Sequence, residues 1–341
     1  MSENMGTIAL LRLDTMILDI ARHKFYEGII TLLITTIVMI ILLATSAGDS
    51  GIASAPDSPL MSLISSATFG SGFVEGLITV ILYIVSTLTL SRSTLRTHIY
   101  TADTMAPIAL CSVMLLPMIT TGDALHQAVV VLLLAHAMAN MFYCFSHRKC
   151  FHRLFAAMVA ASTLAVVDAS LTIVPVTMAL ALIAARKKLR EAVAVVVGML
   201  LPLFAYCYIA WLQDVSFSES LLLWWRSLVA PLSLNILDNL KLTRLIFIAF
   251  IVFLQATSVI LHLSHREIHS SVMRGSWRTM QLMFVASLCC ALLLPSASDS
   301  LLTVVVMIAS AMLSMYFINS SAMLSVVSYV ALASLAFAAA I

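Results

Sequence analysis

The chain has 341 residues, 62% of them hydrophobic and 10% charged, with a formal net charge of +2. Soluble domains carry about 25% charged residues, so this composition excludes a chain that covers its own surface in water. The small net charge selects no partner by itself; where the charges fall carries more information. Long apolar runs recur from end to end and do not alternate in the ~10-residue pattern of a membrane β-barrel, so the expected fold is an all-α polytopic transmembrane bundle, a single integral membrane domain over residues 1–341.

In chain order, residues 8–20 place Ile8, Leu11, Met16, Ile17 and Ile20 at helical spacing, which suggests a short helix at the inner interface. Arg12, Arg22 and Lys24 then precede the first apolar run. "ATSAGDS" resembles a processing site, but the run is long for a cleavable signal, so a retained first span is expected. Eleven spans follow from the apolar runs between charged breaks: 28–46, 72–90, 105–120, 127–146, 154–167, 169–184, 192–212, 244–262, 279–294, 301–318 and 322–340. The connection 47–71 is rich in Ser, Gly, Ala and Pro and reads as a loop carrying Asp49 and Asp57. The longest later connection, 213–243, holds an amphipathic stretch at 216–230. There Phe217, Leu221, Trp224, Trp225 and Leu228 share a stripe, Glu219 and Arg226 lie opposite, and Ser216 with Glu219 forms a capping box. This reads as a helix lying at the outer interface, with Trp211, Trp224, Trp225 and Trp277 as interfacial anchors.

Orientation follows from Lys and Arg. With the N-terminus in the cytoplasm, the inner segments hold Arg12, Arg22, Lys24, Arg92, Arg96, Arg148, Lys149, Arg153, Arg186, Lys187, Lys188, Arg190, Arg266, Arg274 and Arg278. The outer segments hold Arg226, Lys241 and Arg244, together with most of the aspartates. Both "SHRKCFHR" (146–153) and "ARKKLR" (185–190) are basic, so the chain between them crosses an even number of times. Two short arms with Asp168 at the outer turn satisfy this. Each arm of ~14–16 residues reaches about 21–24 Å against a hydrocarbon core of ~30 Å, so the tip is expected below the outer lipid surface.

Asp168 is the sole charge in 154–185. As a turn residue in water it costs nothing; as a recessed acid it is a site for a cation or a substrate hydroxyl. The turn reading is the simpler, because the topology already explains the charge. His136 and Asn140, four apart on one helical face, read either as an interhelical hydrogen bond that fixes packing or as a polar floor to a cavity. Gln255 and His262 carry the same two readings. Arg148, Lys149, Arg186, Lys187, Lys188 and Arg190 are candidates for contact with lipid headgroups or a phosphate. The surrounding cations disfavour a metal on His147, Cys150 and His152. Pro107, Pro117, Pro175 and Pro202 could kink spans around a cavity. The six cysteines imply no disulfide framework.

No phosphate-binding loop, dinucleotide fingerprint, HExxH or nucleophile elbow is present. No catalytic residue, cofactor or metal is therefore expected. The partners expected are the lipid bilayer and other membrane subunits; nucleic acid is not, because the cations are spread over short membrane-proximal segments.

"AHAMANMFYCFSHRKCFHRLF" (135–155) and "ARKKLREAVAVVVGMLLPLFAYCYIAW" (185–211), with Arg190-Glu191 and the Gly198-to-Pro202 step, resemble a family of uncharacterised multi-pass inner-membrane proteins of Bacteroidota, known as a domain of unknown function. The resemblance spans about residues 100–212 and implies an inner-membrane location without an assigned activity. The family pattern places an aromatic beside the Arg-Glu pair, where this chain has Leu189 and Ala192. Three functions fit these observations. The first is a non-enzymatic transporter-like or accessory component of envelope assembly. The second is a polytopic glycosyltransferase or polymerase acting on polyprenyl-linked sugar at the outer face through Asp49, Asp57 or Asp168. The third is a structural subunit of a membrane complex.

Overall fold

The computed structural model describes residues 25–46, 72–100, 104–120, 123–147, 150–186, 188–212, 214, 216–228, 241–264, 271–293, 298–320 and 322–341. Among these, twelve α-helices and one 3-10 turn form, with no strand. The helices are α1 (Phe25–Ser46), α2 (Gly72–Thr97), α3 (Ala106–Thr120), α4 (Ala124–Ser146), α5 (Phe151–Val167) and α6 (Ile173–Arg186). They continue as α7 (Leu189–Leu212), α8 (Phe217–Leu228), α9 (Leu242–Ser264), α10 (Ser271–Leu293), α11 (Asp299–Asn319) and α12 (Ala322–Ala340). Each of the eleven expected spans is a helix, and α8 is the expected interfacial one. Eight are long and apolar enough to cross a membrane, while α3, α5 and the segment 169–185 are shorter. The expected N-terminal helix at 8–20 lies outside the described residues.

α3 and α11 pack together at the centre, α3 also against α1 and α12, and α11 also against α9 and α10. α2, α4, α5 and α7 continue outward in that order, each packed on the one before. Nearly all of α11 is buried, 94% of its span, and α3 is buried from Leu110 through Ile119. With 15 residues, α3 rises about 22 Å, short of the ~30 Å hydrocarbon core. A helix enclosed by protein has no need to reach both lipid surfaces, because its ends meet neighbours instead. The peripheral helices expose apolar stripes, such as Ile30, Leu33, Ile34, Ile37 and Ile41 on α1, each about half exposed. In water such faces would mark a large interaction surface; on this chain they form the lipid-facing belt.

Side-chain contacts link ends that the alternating topology places together. Arg244 at the start of α9 pairs with Asp299 at the start of α11 at 3.2 Å, and Lys241 Nζ donates to the Ile341 carbonyl at 3.2 Å. One end of the bundle therefore carries Glu75, Asp123, Asp168, Asp214, Glu219 and Asp299; the other carries Arg92, Arg96, Arg153, Lys188, Arg190, Arg274 and Arg278. These are the acidic end and the basic end below.

The prolines do not line one cavity. Pro107 and Pro175 sit in the first turns of α3 and α6, where no helical N–H is lost. Pro117 lies inside α3, and Pro202 inside α7 on the periphery. One turn before Pro202, Gly198 lets α7 approach α5. A Cβ there would lie 2.9 Å from Met158 Cβ and 3.1 Å from the Phe155 carbonyl oxygen.

Candidate functional sites at the two ends of the bundle

At the acidic end, α5 ends at Val167 and the chain turns through Asp168 into the 3-10 turn Ala169–Thr172 before α6. The short outward hairpin is as expected, but its tip is not in water. Asp168 is 7% exposed. Its Oδ1 accepts from the Ser170 N–H at 2.9 Å, and its Oδ2 accepts from the hydroxyl of Ser298. The hydroxyls of Ser170 and Ser298 are 2.9 Å apart. Because the one Ser298 proton goes to Asp168, Ser170 is the donor to Ser298, and the chain of hydroxyls ends on the carboxylate. The roof is α8, whose Trp224 indole N–H donates to the Ala165 carbonyl at 3.0 Å. A carboxylate buried here is stable because both oxygens are engaged.

Beside this turn, His126 Nε2 lies 3.0 Å from Ser300 Oγ, Gln127 donates to the same oxygen at 3.4 Å, and Thr303 donates to Gln127 Oε1 at 2.7 Å. With Arg244 on Asp299, the first turn of α11 gathers α4, the α5–α6 hairpin and α9 through polar side chains. Asp299 also sits favourably in that first turn, facing the positive end of the helix dipole. This cluster holds helices together where hydrogen bonding to lipid is not available.

At the basic end, a cavity of about 300 Å³ opens between α2, α4 and α5. Arg92 and Arg96 come from α2, His136, Asn140 and Tyr143 from α4, and Arg153 from α5. Arg153 is fixed. Its Nη1 donates to Asn140 Oδ1 at 3.1 Å, and its guanidinium lies 5.3 Å from the Tyr143 ring centroid. Asn140 in turn donates to the His136 carbonyl at 2.9 Å. Among the described residues no carboxylate lines this cavity. Three arginines line one cavity, and an anion seated among them offsets their mutual repulsion. Planar guanidinium forks match the oxygens of a phosphate, so the site suits a phosphate or similar oxyanion.

The sequence candidates divide between these two ends. His136 and Asn140 belong to the arginine pocket, and Asp168 to the opposite cluster. Gln255 joins neither; it is buried and donates to Met312 Sδ at 3.2 Å. Lys188 and Arg190 are exposed at the basic end, with Arg190 5.4 Å over the Phe151 ring. Arg148, Lys149 and Lys187, the side chains of Arg186 and His262, and Asp49 and Asp57 lie outside the described residues. Trp211 and Trp225 are each 56% exposed, whereas Trp224 is half-buried and bonded to the Ala165 carbonyl. Trp277 is not an anchor: it is 3% exposed, within the bundle. Arg92 and Arg96 are the residues that sequence reasoning assigned to topology alone; Arg153 belongs to the basic cluster 147–153 read as setting topology and contacting headgroups or a phosphate. The available signal was the four-residue step from Arg92 to Arg96, which puts both on one helical face.

Comparison with family models, curated proteins and solved structures found no match to this chain. Eight helices among the described residues that are long and apolar enough to cross a membrane make this an integral, multi-pass membrane protein of the lipid bilayer.

Proposed function

We propose that this chain is a non-enzymatic accessory component of cell-envelope assembly, seated in an inner membrane with its basic end in the cytoplasm. Its task is to hold an anionic, phosphate-bearing group in the arginine pocket. The observation that carries this reading is the convergence of Arg92, Arg96 and Arg153 on one cavity with no carboxylate among its described lining. The cytoplasmic placement of that end rests on the asymmetry of Lys and Arg. An accessory role is supported over a transport path by the apolar packing of α3 and α11 between the two polar clusters, where Met114, Leu115, Met307 and Ile308 are fully buried. A non-enzymatic role is supported by Asp168, whose oxygens are both engaged in fixing the hairpin and are not poised as a general base. Membership in the Bacteroidota family that residues 100–212 resemble fits the same location.

The test is incubation of the purified full chain with a polyprenyl-linked sugar, with reactants and products followed by mass spectrometry. Unchanged substrate is expected. Consumption of the substrate that disappears in Asp168→Ala would overturn the non-enzymatic reading in favour of glycosyl transfer.

A further inference from the structure

We infer that the arginine pocket is the headgroup end of a site for one phosphate-bearing lipid, whose chain lies along α2. This rests on the anion-binding reading above and names the class of its ligand. Along α2, Leu77, Ile81, Val85, Leu88, Arg92 and Arg96 follow one another at steps of three or four residues, so all six lie on one face. The four apolar members are 49%, 50%, 45% and 42% exposed, respectively. Arg92 and Arg96 are exposed as well. They therefore stand at the foot of a lipid-facing stripe, where the phosphates of one leaflet lie. A pocket made for a soluble anion would draw its cations from a face turned to water; two of these three come from the face turned to lipid.

The other wall supplies orientation. Arg153 is held by Asn140 and stacked over Tyr143, so it loses little freedom when it grips a phosphate. From Arg92 to Ile81 is about 16 Å along the helix. The arginines and the stripe Leu88, Val85 and Ile81 thus lie on one helix face, over about the depth of one leaflet, in the order that a phospholipid presents headgroup and chain.

The experiment is native mass spectrometry of the full chain in detergent, titrated with phosphatidylglycerol, with phosphatidylcholine and with inorganic phosphate. One phosphatidylglycerol is expected to be retained in preference to phosphatidylcholine. Arg92→Gln and Arg96→Gln should each weaken it about tenfold, the worth of one charge-assisted hydrogen bond. Both positions are exposed, so folding is spared. Arg278→Gln, an exposed cation at the same end that does not line the pocket, should leave retention unchanged. Val85→Ala together with Leu88→Ala trims the exposed stripe next to the arginines and should weaken phosphatidylglycerol while leaving inorganic phosphate competition unchanged. If inorganic phosphate binds the arginines as tightly as phosphatidylglycerol and the Val85→Ala, Leu88→Ala variant has no effect, the lipid assignment falls and the anion reading stands. If neither anion responds to the arginine substitutions, both fall.

Discussion

Ser298 precedes the first turn of α11 as its N-cap, yet its hydroxyl makes no capping bond and donates to Asp168 on the α5–α6 hairpin instead. A cap is worth about 1 kcal/mol. A buried carboxylate left without a donor costs more than a neutral group would, so serving the carboxylate is the better use of this proton. Asp168→Ala should lower stability by about 1–3 kcal/mol, and Ser298→Ala by a similar amount. The double variant should lose less than the sum, because both remove one interaction. Thermal unfolding in detergent reads all three; a wild-type midpoint for Asp168→Ala would return the acid to a solvated turn.

Gly198 and Gly76 make opposite predictions from the same substitution. Gly198→Ala forces a methyl against Met158 and the Phe155 carbonyl, and overpacking of this kind costs about 1–3 kcal/mol. Gly76→Ala meets open space and should stabilise by up to about 1 kcal/mol through helix propensity. The two unfolding midpoints should move in opposite directions.

Arg244 is 5% exposed and its partner Asp299 is 40% exposed at the side chain. Removing the acid strands a nearly buried guanidinium, which costs about 3–5 kcal/mol when both partners are buried. Solvent at Asp299 reduces this, so Asp299→Asn should cost about 1–2 kcal/mol. Limited proteolysis at the start of α9 should rise in step.

Sidedness is open to direct labelling. In a cysteine-free background, cysteines at Lys188 and at Glu219 should react with an impermeant maleimide from opposite faces of sealed vesicles. Reaction of both from one face would contradict the alternating topology.

The spans were legible because apolar runs and basic breaks are each local features. The hairpin at Asp168 was legible for the same reason: two basic flanks force an even number of crossings. Its burial was not, because Ser298 and Trp224 reach it from 130 and 56 positions away in the chain, and apolar pattern does not report such pairings. The central place of α11 is hidden too, since its mean hydropathy, 2.3, equals that of the peripheral α7, and an apolar run reads alike against protein and against lipid. The arginine pocket was half legible. His136 and Asn140 stand out as polar groups in a span and Arg153 as part of a basic cluster suited to a phosphate, whereas Arg92 and Arg96 are absorbed into the charge bias that sets orientation. Trp277 was misplaced because a tryptophan near a basic loop fits an interface and a core equally well.

The central claim is that Arg92, Arg96 and Arg153 surround a lipid phosphate. A cryo-electron microscopy map of the full chain in a phosphatidylglycerol nanodisc tests it most directly. Phosphate density is expected within hydrogen-bond distance of these guanidinium groups, continuous with an acyl chain along Leu88, Val85 and Ile81. A pocket closed by a carboxylate of the chain itself, with no lipid density along α2, would contradict it.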